Sequence, residues 1–273
     1  MPLRNPVVAG SFYPHMPETL RDAIRQHSPP QSPAPVAPDM VMLPHAGYIY
    51  CGDIIGETLS HVRLPSTLFL LGPNHTGLGQ GLAVWPDGAW LTPLGQIPVQ
   101  AELAARLVAS GAGFTADTQA HLREHSLEVL LPFLQTCVAD LAIIPICVGV
   151  GDPIMLHKAG MALGCLLQSC RTQGTPVAMV VSSDMHHFSD AATTTRLDAL
   201  ALEHMLRLDA QALLRTVHTS GISMCGVWPA ALALYAGQQL HSTRARLVRH
   251  ATSADVTGNT SNVVGYAGIY TDG

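Results

Sequence analysis

Three apolar runs in this chain each end in a polar cluster that carries histidine. They are Met42-Leu43-Pro44-His45-Ala46-Gly47-Tyr48, Phe69-Leu70-Leu71-Gly72-Pro73-Asn74-His75 and Met179-Val180-Val181-Ser182-Ser183-Asp184-Met185-His186-His187. In an open α/β sheet the strand C-termini converge on one crevice, and that crevice is where ligands sit. The pattern therefore constrains both the architecture and the place where chemistry is expected.

The rest of the chain fits the same plan. Residues 16–27 space Leu20, Ala23 and Ile24 on one helical face. Residues 28–39 hold five prolines and read as a surface connection, since too little chain precedes them to fold alone. Strands are expected at 40–43, 66–71, 141–148, 176–181, 245–251 and 263–270. Helices are expected at 53–62, 100–110, 127–137, 153–170, 194–208 and 228–240, with Pro229 tolerated in the last one's first turn. Asp209 is placed to cap another helix, which Gly221 closes. Short alternations in 77–92 suggest hairpin strands beside the site. Strands alternating with helices predict an α/β fold.

Composition narrows the function classes. Hydrophobic residues make up 48% and charged residues 12% of the 273. A core of that size needs no metal to hold the fold, so a metal here would be functional. The net charge is −5 with only 14 Lys plus Arg, which disfavours a nucleic-acid binder. No stretch reaches the ~18 apolar residues of a membrane span, and the start Met1-Pro2-Leu3-Arg4-Asn5-Pro6 lacks a signal-peptide core. The six cysteines form no Cys-x-x-Cys. The expectation is a reduced, cytoplasmic protein without membrane attachment.

Proline fixes the backbone before His45, and glycine allows the tight turn after it. Gly72-Pro73 repeats this arrangement before His75. His121 and His125 flank Glu124, with Ser126 a candidate N-cap for the helix that follows. His125 reads equally as a loop residue or a site residue. Asp184 and His187 could form a carboxylate–imidazole pair, or Asp184 could cap the next helix. Cys225 precedes a helix, whose dipole favours a thiolate. The remaining cysteines fit core packing. Gly149-Val150-Gly151 lacks the third glycine of a dinucleotide loop, and no Gly-x-Ser-x-Gly elbow exists.

Taken in order, several motifs resemble the Memo family, also called AmmeMemoRadiSam system protein B. They are Val8-Ala9-Gly10-Ser11-Phe12-Tyr13-Pro14, Pro44-His45-Ala46-Gly47-Tyr48, Gly72-Pro73-Asn74-His75, Glu124-His125-Ser126-Leu127-Glu128, Ser182-Ser183-Asp184 with His187, Cys225-Gly226, and Thr257-Gly258-Asn259 through Gly265-Tyr266-Ala267-Gly268. The resemblance implies a single three-layer α/β/α domain over residues 1–273, similar to class III extradiol dioxygenases, which hold non-haem iron with two histidines and a carboxylate. It implies that a cysteine replaces the carboxylate, so the expected metal ligands are His45, His75 and Cys225. Asp184 and His187 are expected beside them as acid–base residues, His125 as a further catalytic candidate, and Tyr48 as a cofactor-binding residue lining the pocket. Thiolate suits copper(I), zinc or iron, and is itself oxidisable.

Three functions follow from these expectations. The first is a metal-binding redox protein or non-haem oxidoreductase using iron or copper. The second is metal-assisted hydrolysis, with zinc able to activate water. The third is a non-catalytic module that binds a peptide or small molecule. The family name also implies radical-SAM and AMMECR1-type partner proteins, and animal members are mediators of cell motility that engage signalling partners.

Overall fold

The computed structural model describes residues 2–149 and 151–272. Val150, inside the rejected dinucleotide loop, lies outside them with Met1 and Gly273. The element order is β1 (Leu3–Arg4), α1 (Pro17–His27), β2 (Pro38–Leu43), α2 (Tyr48–Ser60), β3 (Thr67–Pro73), β4 (Leu82–Val84), β5 (Ala89–Thr92), β6 (Gly95–Pro98), α3 (Ala101–Ala109), β7 (Thr115–Ala116), α4 (Leu131–Cys137) and β8 (Ala142–Val148). It continues through α5 (Pro153–Thr172), β9 (Val177–Ser182), β10 (His187–Ser189), α6 (Ala191–Leu206), α7 (Ala210–Thr219), α8 (Val227–Leu240), β11 (Arg244–Thr252), α9 (Ala254–Thr257) and β12 (Val263–Asp272). The α/β class expected from the sequence is what forms.

Four parallel strands make the centre of a nine-stranded mixed sheet, in the order β2-β9-β3-β8. Antiparallel β12 pairs with β2, and antiparallel β4 with β8. Every residue of β2, β3, β8 and β9 is buried, because helices cover both faces. Alternation along each strand sorts the side chains into two layers. Met40, Met42, Phe69, Leu71, Ile144, Ile146, Met179 and Val181 pack into a core with α3, α5, α6, α7 and α8. Val41, Leu43, Leu68, Leu70, Ile143, Ala178 and Val180 pack into the other with α1, α2 and α4.

Residues 77–92 do not form the expected hairpin. β4 joins the central sheet through Leu82↔Val148 and its neighbours, whereas β5 pairs with β6 and β1 in a separate three-stranded sheet. Trp90 of β5 is buried and meets the buried Trp85 ring edge to face. Asp209 does cap α7 by accepting from Ala212 N at 2.9 Å, with Gly221 left-handed (φ 62°) beyond the helix.

Close approach of α5 to α8 depends on Gly160 and Gly164. A Cβ on Gly160 would lie 2.5 Å from Tyr235 Cβ and 2.8 Å from Leu232 O. A larger side chain would have to push the helices apart. Gly160→Leu is expected to lose about 1–3 kcal/mol, read as a lower denaturation midpoint in urea. An unchanged midpoint would show that the pair of helices yields freely.

Candidate metal centre

The strand order places the site. β9 lies between β2 and β3, with Leu43 level with Ser182 and Leu71 level with Val181. The exits of all three strands therefore open on one edge, carrying His45, Asp184 and His75. The loop at 122–127 supplies His125 to the same place. The ligand atoms of His45, His75 and His125 lie within 4.8 Å of one another. The rings of His75 and His125 stack at 4.8 Å, and His45 meets them edge-on at 5.3 and 5.6 Å.

His45 and His75 are oriented through Nδ1, and His125 through its backbone N–H. His45 Nδ1 is 2.7 Å from Ser182 Oγ. His75 Nδ1 donates to Glu124 Oε1 at 2.9 Å, and His125 Nδ1 lies 3.5 Å from the same oxygen. Glu124 is buried and also accepts from the backbone N–H of His75, His125 and Ser126. Burial alone would favour its neutral form. The His75 bond and charge and the Ser126 N–H outweigh that and hold its pKa down at about 2. Imidazoles whose Nδ1 is held by oxygen and whose Nε2 is left free form a donor set suited to a metal. The residues therefore fit one.

Burial pushes the His45 pKa well below the imidazole value, and the neighbouring His75 and His125 lower it further. His125 is lowered by burial despite Glu124. His75 shifts the other way: burial opposes its charge, but the Glu124 hydrogen bond and charge together raise it.

Cys225 stands at the edge of the cluster. Its Sγ is 3.4 Å from His45 Nε2 and accepts from Asp184 N at 3.3 Å. Gly226 allows this approach, since a Cβ there would sit 2.4 Å from Ser183 Cβ and 2.5 Å from Ser182 O. The expected thiolate is not favoured. Burial, with the charge of Asp184, raises the thiol's pKa against the hydrogen bonds of Asp184 N–H, the Ser183 hydroxyl and Gly226 N–H. The three-residue convergence thus has His125 where sequence reasoning had Cys225, with the thiol touching one member.

Asp184 is buried and accepts from His45 N at 2.8 Å. Burial raises its pKa against that hydrogen bond and the charge of His187. It caps no helix; Asp190 caps α6 by accepting from Thr193 N. His187 Nε2 is 4.0 Å from Asp184 Oδ2, and its Nδ1 is 2.8 Å from Ser223 O. Tyr48 opens α2, but its hydroxyl donates to Val129 O at 2.8 Å and its ring packs on Phe133 and Tyr13. The structure sets it in a buried ring cluster, its hydroxyl spent on the backbone.

Ser126 is not the N-cap its position suggested. Its hydroxyl donates to Pro73 O at 3.0 Å, across to the exit of β3. His121 is buried between Trp85 and Trp90, far from solvent, and burial lowers its pKa to about 4.

The model of the family described as Memo-like protein matches residues 4–270. The chain belongs to that family. A MEMO1 family protein of Thermotoga neapolitana is 37% identical over 278 residues, covering 97% of this chain and 98% of its own. One from Archaeoglobus fulgidus is 38% identical over 268 residues, covering 98% of each. Among solved structures, an uncharacterized protein of Escherichia coli K12 aligns with 84% of this chain at 13% identity and a TM-score of 0.48. No helix among the described residues is long and apolar enough to cross a membrane.

Proposed function

We propose that this Memo-family chain is a metal-dependent oxidoreductase, with iron or copper held by His45, His75 and His125 and with Cys225 beside them. The observation that carries the reading is the meeting of three imidazole ligand atoms within 4.8 Å, next to a thiol 3.4 Å from His45 Nε2. Imidazole and sulfur donors together suit iron, copper and zinc. A bound metal would supply electron transfer and an open coordination position for a small substrate.

The chain's own groups serve that position. Glu124 fixes the ring of His75 and the backbone of His125. Asp184 holds His45 by its backbone N–H, and its Oδ2 lies 4.0 Å from His187 Nε2, a carboxylate–imidazole pair placed to pass a proton. His75 is about one-third exposed, which gives a ligand access from solvent.

The third imidazole also favours a second reading. Three neutral histidines with an open position are a set that can activate water on zinc. Metal analysis of protein purified without oxygen or an affinity tag tests both. Iron or copper with oxygen consumption supports the first; zinc with oxygen-independent turnover supports the second. Protein free of all three metals would overturn both and leave a binding module.

Proton competition gives a further expectation. Burial disfavours the protonated forms of His45 and His125, whereas Glu124 raises the pKa of His75, so His75 is the cluster member that protonates first as pH falls. Its pKa lies above the ordinary ~6.5. Metal affinity should be flat above the His75 transition and fall about tenfold per pH unit below it, one proton per metal. Competition titrations from pH 5 to 8 measure this slope; a slope of zero or of three protons would contradict it.

A further inference from the structure

Ser182 and Ser126 are both fully buried at the meeting of the strand exits. Ser182 Oγ lies 2.6 Å from the carbonyl of Ser126 and 2.7 Å from His45 Nδ1. A carbonyl can only accept, so the single hydroxyl hydrogen of Ser182 goes to Ser126 O. Toward His45, Oγ then has only lone pairs to offer, and Nδ1 must carry the proton. Neutral His45 is left with its lone pair on Nε2, the nitrogen that faces Cys225 Sγ.

The same serines tie the three strand ends together. Ser182 ends β9, Ser126 O receives its hydroxyl, and Ser126 Oγ donates to Pro73 O at the end of β3. Ser126 N donates to Glu124 Oε1, which holds His75 and His125. One chain of hydrogen bonds thus runs from His45 through two serines to the carboxylate that holds the other two histidines.

We infer that Ser182 is a positioning residue that sets the tautomer of His45, presenting the Nε2 lone pair to the cluster. The inference builds on the metal-centre reading but concerns a property of the metal-free protein, so the two can fail separately.

The test is the ring-nitrogen pattern of His45 in long-range ¹H–¹⁵N spectra of metal-free protein, assigned with His45→Gln. Wild type is expected to show a protonated Nδ1 and an unprotonated Nε2. Ser182→Ala should lose that preference, with protonated Nε2 appearing. Ser126→Ala should leave His45 unchanged, because Ser182 is oriented by the carbonyl of residue 126 and not by its hydroxyl. Binding of Zn²⁺ alone should weaken about 10- to 100-fold in Ser182→Ala.

A wild-type His45 protonated at Nε2 would overturn the inference without any variant being needed. So would a Ser182→Ala spectrum identical to wild type, or a tautomer change in Ser126→Ala. The expected spectra together with no binding of Zn²⁺, Fe²⁺ or Cu⁺ by wild type would support the role of Ser182 and overturn the metal centre instead.

Discussion

Arg4→Ala is expected to destabilise the protein by about 3–5 kcal/mol, the range for stranding one member of a buried ion pair. Arg4 and Glu128 are both buried, 2.7 Å apart. The guanidinium also donates to the carbonyls of His121 and Glu124 and lies 4.2 Å above the Trp90 ring. Glu128 in turn accepts from Val7 N, Val8 N and the Tyr13 hydroxyl. Removing Arg4 leaves a carboxylate with no charge partner and takes a donor from the carbonyls of His121 and Glu124. At ~2–4 °C per kcal/mol for a chain above 150 residues, the melting temperature should fall by roughly 6–20 °C. A fall of under ~2 °C would mean that the pair contributes no net stability. Arg4→Lys should recover only part of the loss, because an ammonium cannot serve carboxylate, carbonyls and ring face at once.

His45→Ala is expected to abolish metal binding while the fold persists. Losing an outer hydrogen-bond partner already weakens metal sites by about 10- to 100-fold, so loss of a ligand should exceed ~100-fold. His75→Ala should match it. Cys225→Ala should be milder, within about 10- to 100-fold, because its sulfur touches His45 and is outside the three-imidazole convergence. Metal content by elemental analysis, with circular dichroism to verify folding, measures all three. Full metal retention in His45→Ala would sink the centre. A Cys225→Ala protein as empty as His45→Ala would replace His125 by the thiolate as third ligand. Ligand binding also predicts that added metal raises the melting temperature of wild type and leaves that of His45→Ala unmoved.

Much of this was legible in the residues, and for identifiable reasons. β2, β3, β8 and β9 stood out because strands buried on both faces must be apolar throughout, and the polar residues that follow them mark the sheet edge. His45, His75 and Asp184 could be assigned to one crevice on that basis alone. α2 was read as starting at residue 53, whereas it starts at Tyr48. Gly47 precedes it without any side-chain cap, so no start signal existed. The pairing of β4 was hidden because its partner in β8 lies more than 60 residues away. Glu124 was seen only as the residue between two histidines. Its role comes from accepting the N–H and Nδ1–H of His75, 49 positions earlier, which no local pattern encodes. The thiol of Cys225 was judged from helix position, but burial decides its protonation, and burial is a tertiary property.

The interleaving of β9 between β2 and β3 has a consequence for biogenesis. A nascent chain that has released residues 1–176 from the ribosome holds both His45 and His75, yet lacks the strand that sets their spacing. Cys225 emerges later still. Any metal taken up at the proposed centre would therefore find its site formed only after β9 has emerged, and a delivery factor would act on a chain that already carries residues 1–182.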